Sequence, residues 1–194
     1  MQVSLDAEYW NQRYIRQETG WDLHQVSPPL QAYIDQLTDK NLSILIPGAG
    51  NAHEAIYLAE QGFRNITVLD IAESAIRKLR ERCGHTMPAI KILEGDFFHF
   101  SGTYDLILEQ TFFCALPPVR RPDYVQQMAS LLSGNGKLVG LLFNRDFEQS
   151  PPFGGHEEMY RQLFEPALRI RQLEPCYNSH AARSGTELFF MVTR

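Results

Sequence analysis

Three short stretches place chemistry-bearing side chains directly after runs of apolar residues. The first is Pro47-Gly48-Ala49-Gly50-Asn51-Ala52-His53, a glycine-rich turn following LSILI. Glycines at such a turn let the backbone approach a ligand closely, and a helix that starts there points its free N–H groups at it. The second is Asp70, twenty residues after Gly50, at the end of NITVLD. An acidic side chain at that place can accept hydrogen bonds from ribose hydroxyls. The third is Gly95-Asp96-Phe97, which follows AIKILE and pairs an acceptor for an exocyclic amine with an aromatic ring to flank a purine. Each has a plainer reading: a glycine turn can serve geometry alone, and a strand-end Asp can be a helix cap or a solvated residue. Three in succession along one sheet edge point to an adenosine-containing cofactor. His53 stands where a dinucleotide fingerprint has its third glycine, and no G-K-[ST] ending follows. The turn therefore favours a cofactor without a pyrophosphate and argues against a triphosphate.

The elements that must position these residues alternate along the chain. LSILIP reads as a buried parallel strand, and NAHEAIYLAEQG as a helix with Asn51 and Glu54 at capping-box spacing and Gly62 as its stop. NITVLDI, AIKILEGDFF and YDLILEQ are further strands, and ESAIRKLRERCG is a helix with Ile76, Leu79 and Cys83 on one face. RPDYVQQMASLLSGNG reads as a helix ended by its glycines, KLVGLLFN as the fifth strand, and HEEMYRQLF as a helix. RIRQLEP and TELFFMVT close the sequence with only CYNSHAARSG between them, which suits an antiparallel link. The expectation is an α/β, Rossmann-like, doubly wound seven-stranded sheet, mostly parallel with an antiparallel last strand. It forms a single domain over 1–194, with an N-terminal helical cap (1–40) on a core (41–194).

Composition narrows the partners. Of 194 residues, 44% are apolar and 21% charged, with a net charge of −5, so no basic footprint for nucleic acid or anionic membrane exists. No apolar run approaches a membrane span, no signal peptide is visible, and Cys83, Cys114 and Cys176 are too few and scattered for a disulfide framework or a zinc cluster. A reducing, cytoplasmic setting and a small-molecule partner are expected.

With these residues collected, the chain resembles class I S-adenosylmethionine-dependent methyltransferases of the thiopurine S-methyltransferase superfamily, especially the plant-type halide and thiol methyltransferases. The resemblance rests on YWNQRY, GWDL, ILIPGAGNAHEAIYLA, VLDIAESAI, GDFF, YDLILEQTFFCALPP with Arg121-Pro122 after it, and SPPF. It implies that S-adenosylmethionine is bound by Trp10, Tyr14, Trp21, Gly48, Gly50, Asp70, Ile71, Asp96, Phe97, Glu109 and Gln110, leaving S-adenosylhomocysteine. Tyr14 stands where relatives have Trp, and Glu109-Gln110 where halide and thiol methyltransferases tend to have Asp-Tyr. The resemblance also implies that Arg121 is a substrate-side cation.

Methyl transfer from a sulfonium is an in-line displacement that asks the protein for alignment, exclusion of water and a deprotonated nucleophile. The acceptor expected is a small soft nucleophile, above all a thiol. Phe112, Phe113 and Phe153 are candidate pocket walls, the first two equally suited to the core. Cys114 reads as a packed thiol, Arg120 as solvated, and His156 as a histidine that could accept a proton. The alternatives are a silent adenosylmethionine-binding module and an NAD-dependent oxidoreductase, the latter disfavoured by His53 and by the closing hairpin. EYWNQRYIRQETGWDL holds both tryptophans of the chain ahead of the first strand. Its aromatic content suits a lid that excludes water and faces a sulfonium.

Overall fold

The computed structural model describes residues 4–194; residues 1–3, part of the expected cap, lie outside the described residues. Two short helices lead, α1 (Ala7–Ile15) and α2 (Pro28–Ile34). Strands and helices then alternate as β1 (Ser43–Pro47), α3 (His53–Glu60), β2 (Asn65–Asp70), α4 (Glu73–Cys83), β3 (Ile90–Glu94) and β4 (Tyr104–Gln110). The second half adds α5 (Arg121–Leu131), β5 (Leu132–Phe143), α6 (Glu157–Phe164), β6 (Arg169–Pro175) and β7 (Glu187–Thr193). The seven strands lie in the order β3-β2-β1-β4-β5-β7-β6. All neighbours from β3 to β5 are parallel, whereas β7 runs antiparallel to both β5 and β6. The expected sheet is therefore present, with β7 as the antiparallel strand.

Alternation along the strands divides the core into two layers. Ile44 and Ile46 of β1 face one way and join Leu30 and Ile34 of α2, Leu58 of α3 and Leu79 and Cys83 of α4. Leu45 faces the other way and joins Tyr124 and Met128 of α5 and Tyr160 and Phe164 of α6. Helices cover both faces, as a parallel sheet requires. The chain order reverses between β1 and β4, and a crevice opens there beyond the carboxyl ends of the strands. The glycine turn, Asp70 and Asp96 all lie at those ends.

Two expected boundaries are corrected. Asn51 and Glu54 do not form a capping box: Ala52 stands at the N-cap of α3 in the left-handed conformation with φ 52°. Both side chains are used over longer range, Asn51 donating to Asp22 and Glu54 accepting from the Ser27 N–H at 3.0 Å. Nor do the glycines of SGNG end α5 as a loop. β5 begins at once with Leu132 opposite Tyr104, and the register shifts before Lys137 pairs with Leu106. Gly62, with φ 87°, does stand just beyond α3 as expected.

The opening segment packs on α4. Tyr14 is buried against Ala72 and Ala75, with Trp10 and Trp21 beside it. Asn11 caps the neighbouring helix: its Oδ1 accepts from the Ser74 N–H at 2.9 Å, and its carbonyl accepts from the Ser74 hydroxyl at 3.3 Å. Ala72, the N-cap residue of α4, has no side-chain acceptor of its own, so Asn11 satisfies an otherwise unpaired donor. Asn11→Ala is expected to lower stability by about 1 kcal/mol, the cost of a lost N-cap, as measured by urea unfolding.

Candidate functional site

The crevice holds a cavity of about 560 Å³, within the roughly 300–1,000 Å³ range of small-molecule sites. Its floor is supplied by strand ends: Gly48 after β1, Asp70 and Ile71 after β2, and Asp96 and Phe97 after β3. Trp10, Tyr14 and Trp21 close it from the N-terminal segment. Ten of the eleven positions expected to hold cofactor thus meet at one place or beside it, Gly50 and Gln110 joining through the smaller cavity described below.

Asp70 is the junction of the site. Its Oδ2 accepts from the Gly50 N–H at 2.8 Å, and its Oδ1 accepts from the Ala72 N–H at 2.8 Å. Burial pushes its carboxyl pKa up, and the N–H donors of Ala72, Gly50 and Ile71 oppose that shift. One side chain thereby joins the glycine turn to the start of α4. The turn needs glycine for two reasons. Gly48 and Gly50 have φ of 59° and 51°, in the left-handed region. A Cβ on Gly48 would also overlap the Phe112 ring, and one on Gly50 would meet the Tyr14 hydroxyl.

The lid is an aromatic cluster. Trp21 meets Trp10 edge-on at 5.6 Å between ring centroids and Tyr14 at 5.8 Å. Tyr14 is 6% exposed, and burial together with the charge of Asp70 raises its pKa, so it remains a neutral phenol. The next residue along, Asp22, accepts from Asn51, from the His24 N–H at 2.8 Å and from His53 Nε2 at 2.9 Å. Burial alone would raise its pKa, but these donors outweigh burial and hold the carboxyl below the usual range. The GWDL segment is therefore pinned to the glycine turn.

A second cavity, of about 50 Å³, adjoins the first and shares Tyr14, Trp21, Gly48 and Thr111 with it. Gly50, Asp22, Asn51, His53, Glu54 and Gln110 line it. Gln110 Oε1 is buried with no hydrogen-bond partner among the described residues. An unpaired buried acceptor is costly, so a donor brought to this cavity-lining residue, such as a ligand ammonium, would relieve it. The pair of cavities, a larger one with acidic strand ends and a smaller one with a free acceptor, fits an adenosine joined to an amino acid.

Several expected residues are placed elsewhere. Glu109 is fully buried beneath the site, accepting from the Phe112 and Phe113 N–H groups at 2.8 and 3.0 Å and from the Tyr124 hydroxyl at 2.7 Å. It shapes the turn at Thr111, whose φ is 59°, and does not touch the cavity. Arg121, expected to be a substrate-side cation, is 4% exposed and packs its guanidinium 4.6 Å from the Phe113 ring centroid. It donates to the Phe153 and Gly154 carbonyls at 3.3 and 2.9 Å, bracing the loop before α6. Phe113 sits in that packing and Phe153 contributes its carbonyl to Arg121; neither lines the cavity. The wall comes instead from Phe112, Phe98, Leu116, Pro117, Pro151 and Pro152, and two cations line the cavity, Arg120 on that wall and Arg13 from α1. Arg120 donates to Asp123 at 2.9 Å and lies 3.8 Å over the Phe98 ring. His156 is the N-cap of α6, accepting from Met159 N–H at 3.4 Å, and is not a lining residue. Cys114 reaches the lining, but burial pushes its thiol up to about 12, so it is no nucleophile at neutral pH.

Glu109 sets a pH dependence. Burial pushes its carboxyl up to about 7, opposed by the Phe113 N–H, the Tyr124 hydroxyl and the Phe112 N–H. Because the folded-state pKa lies above the ordinary carboxyl value of about 4.5, the folded chain holds this proton more tightly than the unfolded one. Its contribution to stability is complete below pH 4.5 and is lost as pH rises to 7, by about 3 kcal/mol at most. Glu109→Gln is expected to flatten that window, and parallel slopes for the two chains in urea unfolding against pH would contradict it.

Comparison with known proteins agrees with this geometry. The family model described as thiopurine S-methyltransferase matches residues 5–187. The chain is 29% identical over 163 residues to probable thiol methyltransferase 2 of Arabidopsis thaliana, covering 81% of this chain and 71% of that protein. It is 28% identical over 185 residues to thiocyanate methyltransferase 1 of the same plant, covering 92% and 81%. Among solved structures, 1,6-didemethyltoxoflavin-N1-methyltransferase of Burkholderia thailandensis superposes with a TM-score of 0.77 at 16% identity, over 99% of this chain and 91% of that one. That likeness shows the fold, and the family match over nearly the whole chain shows the rest: the chain belongs to the thiopurine S-methyltransferase family and is an S-adenosylmethionine-dependent methyltransferase.

Proposed function

We propose that the chain methylates the sulfur of a small organic thiol, working as one unit in which residues 1–40 cap a core of 41–194. The observation that carries the cofactor assignment is the joined pair of cavities at the Asp70 junction, one with acidic strand ends and one with the free Gln110 acceptor. In this reading Asp70 has lone pairs left for ribose hydroxyls, and Asp96 and Phe97 address the adenine. Gly48, Gly50 and Gln110 receive the amino-acid end. Trp10, Tyr14 and Trp21 cover the sulfonium side, where aromatic faces attract a cation by up to about 2 kcal/mol when desolvated. S-adenosylmethionine supplies a methyl group made electrophilic by its sulfonium, and the residues around it align the acceptor and keep water out.

The remaining wall favours an organic acceptor. Leu116, Pro117, Pro151 and Pro152 give it apolar surface, and Arg120 gives it one cation. A thiol of ordinary pKa, about 8.5, is already partly thiolate at neutral pH, and a neighbouring guanidinium raises that fraction. In this reading Arg120, which lines the cavity, takes the role expected of Arg121, which does not. No helix among the described residues is long and apolar enough to cross a membrane, and Cys83, Cys114 and Cys176 are all free. Free thiols support a reducing, cytoplasmic setting.

Two measurements test the reading. Calorimetry is expected to show S-adenosylhomocysteine binding and no NAD binding, with Asp70→Asn weakening the former about tenfold or more, the effect of removing a charged acceptor. NAD binding without an adenosylhomocysteine signal would overturn it. Turnover of an alkyl thiol of ordinary pKa, about 8.5, is expected to fall several-fold in Arg120→Ala at pH 7 and to recover near pH 9.5, where the thiol ionises unaided. No turnover of any thiol would point to a silent adenosylmethionine-binding module.

A further inference from the structure

The link between β6 and β7 carries an arginine that the sheet does not need. Arg183 ends a short 3-10 turn, Ala181–Arg183, and its side chain is buried. Nη1 donates to Glu187 Oε1 at 3.3 Å, and Glu187 is itself 4% exposed. Nη2 leaves the hairpin altogether and donates to the Trp21 carbonyl, 162 residues away in sequence. The guanidinium also lies 5.5 Å from the centroid of the Phe143 ring at the end of β5.

The recipient explains the geometry. Trp21 lies in the irregular segment between α1 and α2, flanked by Gln17 and His24 in left-handed conformations. A backbone carbonyl there has no helix or strand partner and must find a donor from elsewhere. The following residue, Asp22, is held at the same time by Asn51 and His53 from the opposite side, at the glycine turn. Adjacent residues of the lid are thus tied to two elements far apart in sequence. The indole between these ties lines both cavities.

We propose that Arg183 and Asp22 are positioning residues that form a two-point latch, fixing the Trp21 indole as a wall of the cofactor site. Glu187 supports the latch by neutralising Arg183 where water cannot. The inference rests on the cofactor reading above and adds that the C-terminal hairpin controls how firmly the cofactor is held. Neither residue touches the acceptor wall, so loss of the latch acts on cofactor binding ahead of the chemical step.

The test uses the full chain, S-adenosylmethionine and one arylthiol at saturation. Arg183→Ala alone would strand Glu187 as a buried unpaired charge, so the variant measured is Arg183→Met with Glu187→Gln, beside Arg183→Lys and Asp22→Asn. The double variant is expected to raise KM for S-adenosylmethionine about tenfold or more, with kcat within about twofold. Amide exchange is expected to accelerate in residues 16–25 and to stay unchanged in β1 to β5, and Arg183→Lys is expected to restore part of the KM. Asp22→Asn is expected to move KM in the same direction. A folded double variant with unchanged KM overturns the latch, and so does exchange that accelerates equally across the sheet. If the unaltered chain fails to bind S-adenosylhomocysteine in calorimetry, the cofactor reading falls and the latch with it.

Discussion

A carboxylate buried without a cation beside it must collect hydrogen bonds or take up a proton. Asp70 meets that demand with backbone N–H groups, and the rest of the site follows from which ones it uses. Holding Gly50 fixes the turn after β1, and holding Ala72 fixes the first turn of α4. That turn can pass so close to Asp70 only with φ values near 50–60° at Gly48 and Gly50, which glycine adopts at little cost. Phe112 and Tyr14 then fill the space that side chains at those positions would occupy. The carboxylate therefore orders the floor of the cavity whether or not it also receives ribose hydroxyls.

The roof is arranged on the same principle, long-range polar contacts holding an aromatic layer. α1 and the GWDL segment pack Tyr14 fully and Trp10 and Trp21 partly against α4, and polar contacts fix their place: Asn11 on α4, Asp22 on the glycine turn and Arg183 on the Trp21 carbonyl. Such attachments are specific and individually modest, each about 1–3 kcal/mol at most. Below the roof, Glu109 and Arg121 act as internal braces. One holds the turn at Thr111 and the other the loop at Phe153 and Gly154 that precedes α6.

Legibility from sequence followed the range of the interactions. Alternating strands and helices, the glycine turn and the acids at strand ends are local patterns, and the sheet and the cavity floor were readable from them. Arg121 was readable in principle: with Tyr124, Val125, Met128 and Leu131 it completes the buried face of α5 at helical spacing. The family resemblance pulled it toward the substrate, and its periodicity places it in the packing. Glu109 sits at the end of a buried strand, where only the structure shows that the turn beyond folds back onto its carboxylate. Asn51 matched a capping spacing and was taken by Asp22 across a tertiary contact instead. Asn11 with Ser74 and Arg183 with Trp21 span 63 and 162 residues, and no local pattern encodes such pairs.

The central claim is that a cofactor binds beneath the aromatic lid, against Trp10 and Trp21. These are the two tryptophans of the chain, so its tryptophan emission comes entirely from that lid. Titration with S-adenosylhomocysteine, followed by tryptophan fluorescence, reads the contact directly. The account predicts a saturable change in intensity or wavelength whose midpoint matches the calorimetric affinity. Emission that stays constant while calorimetry reports saturation would place the cofactor elsewhere and contradict it.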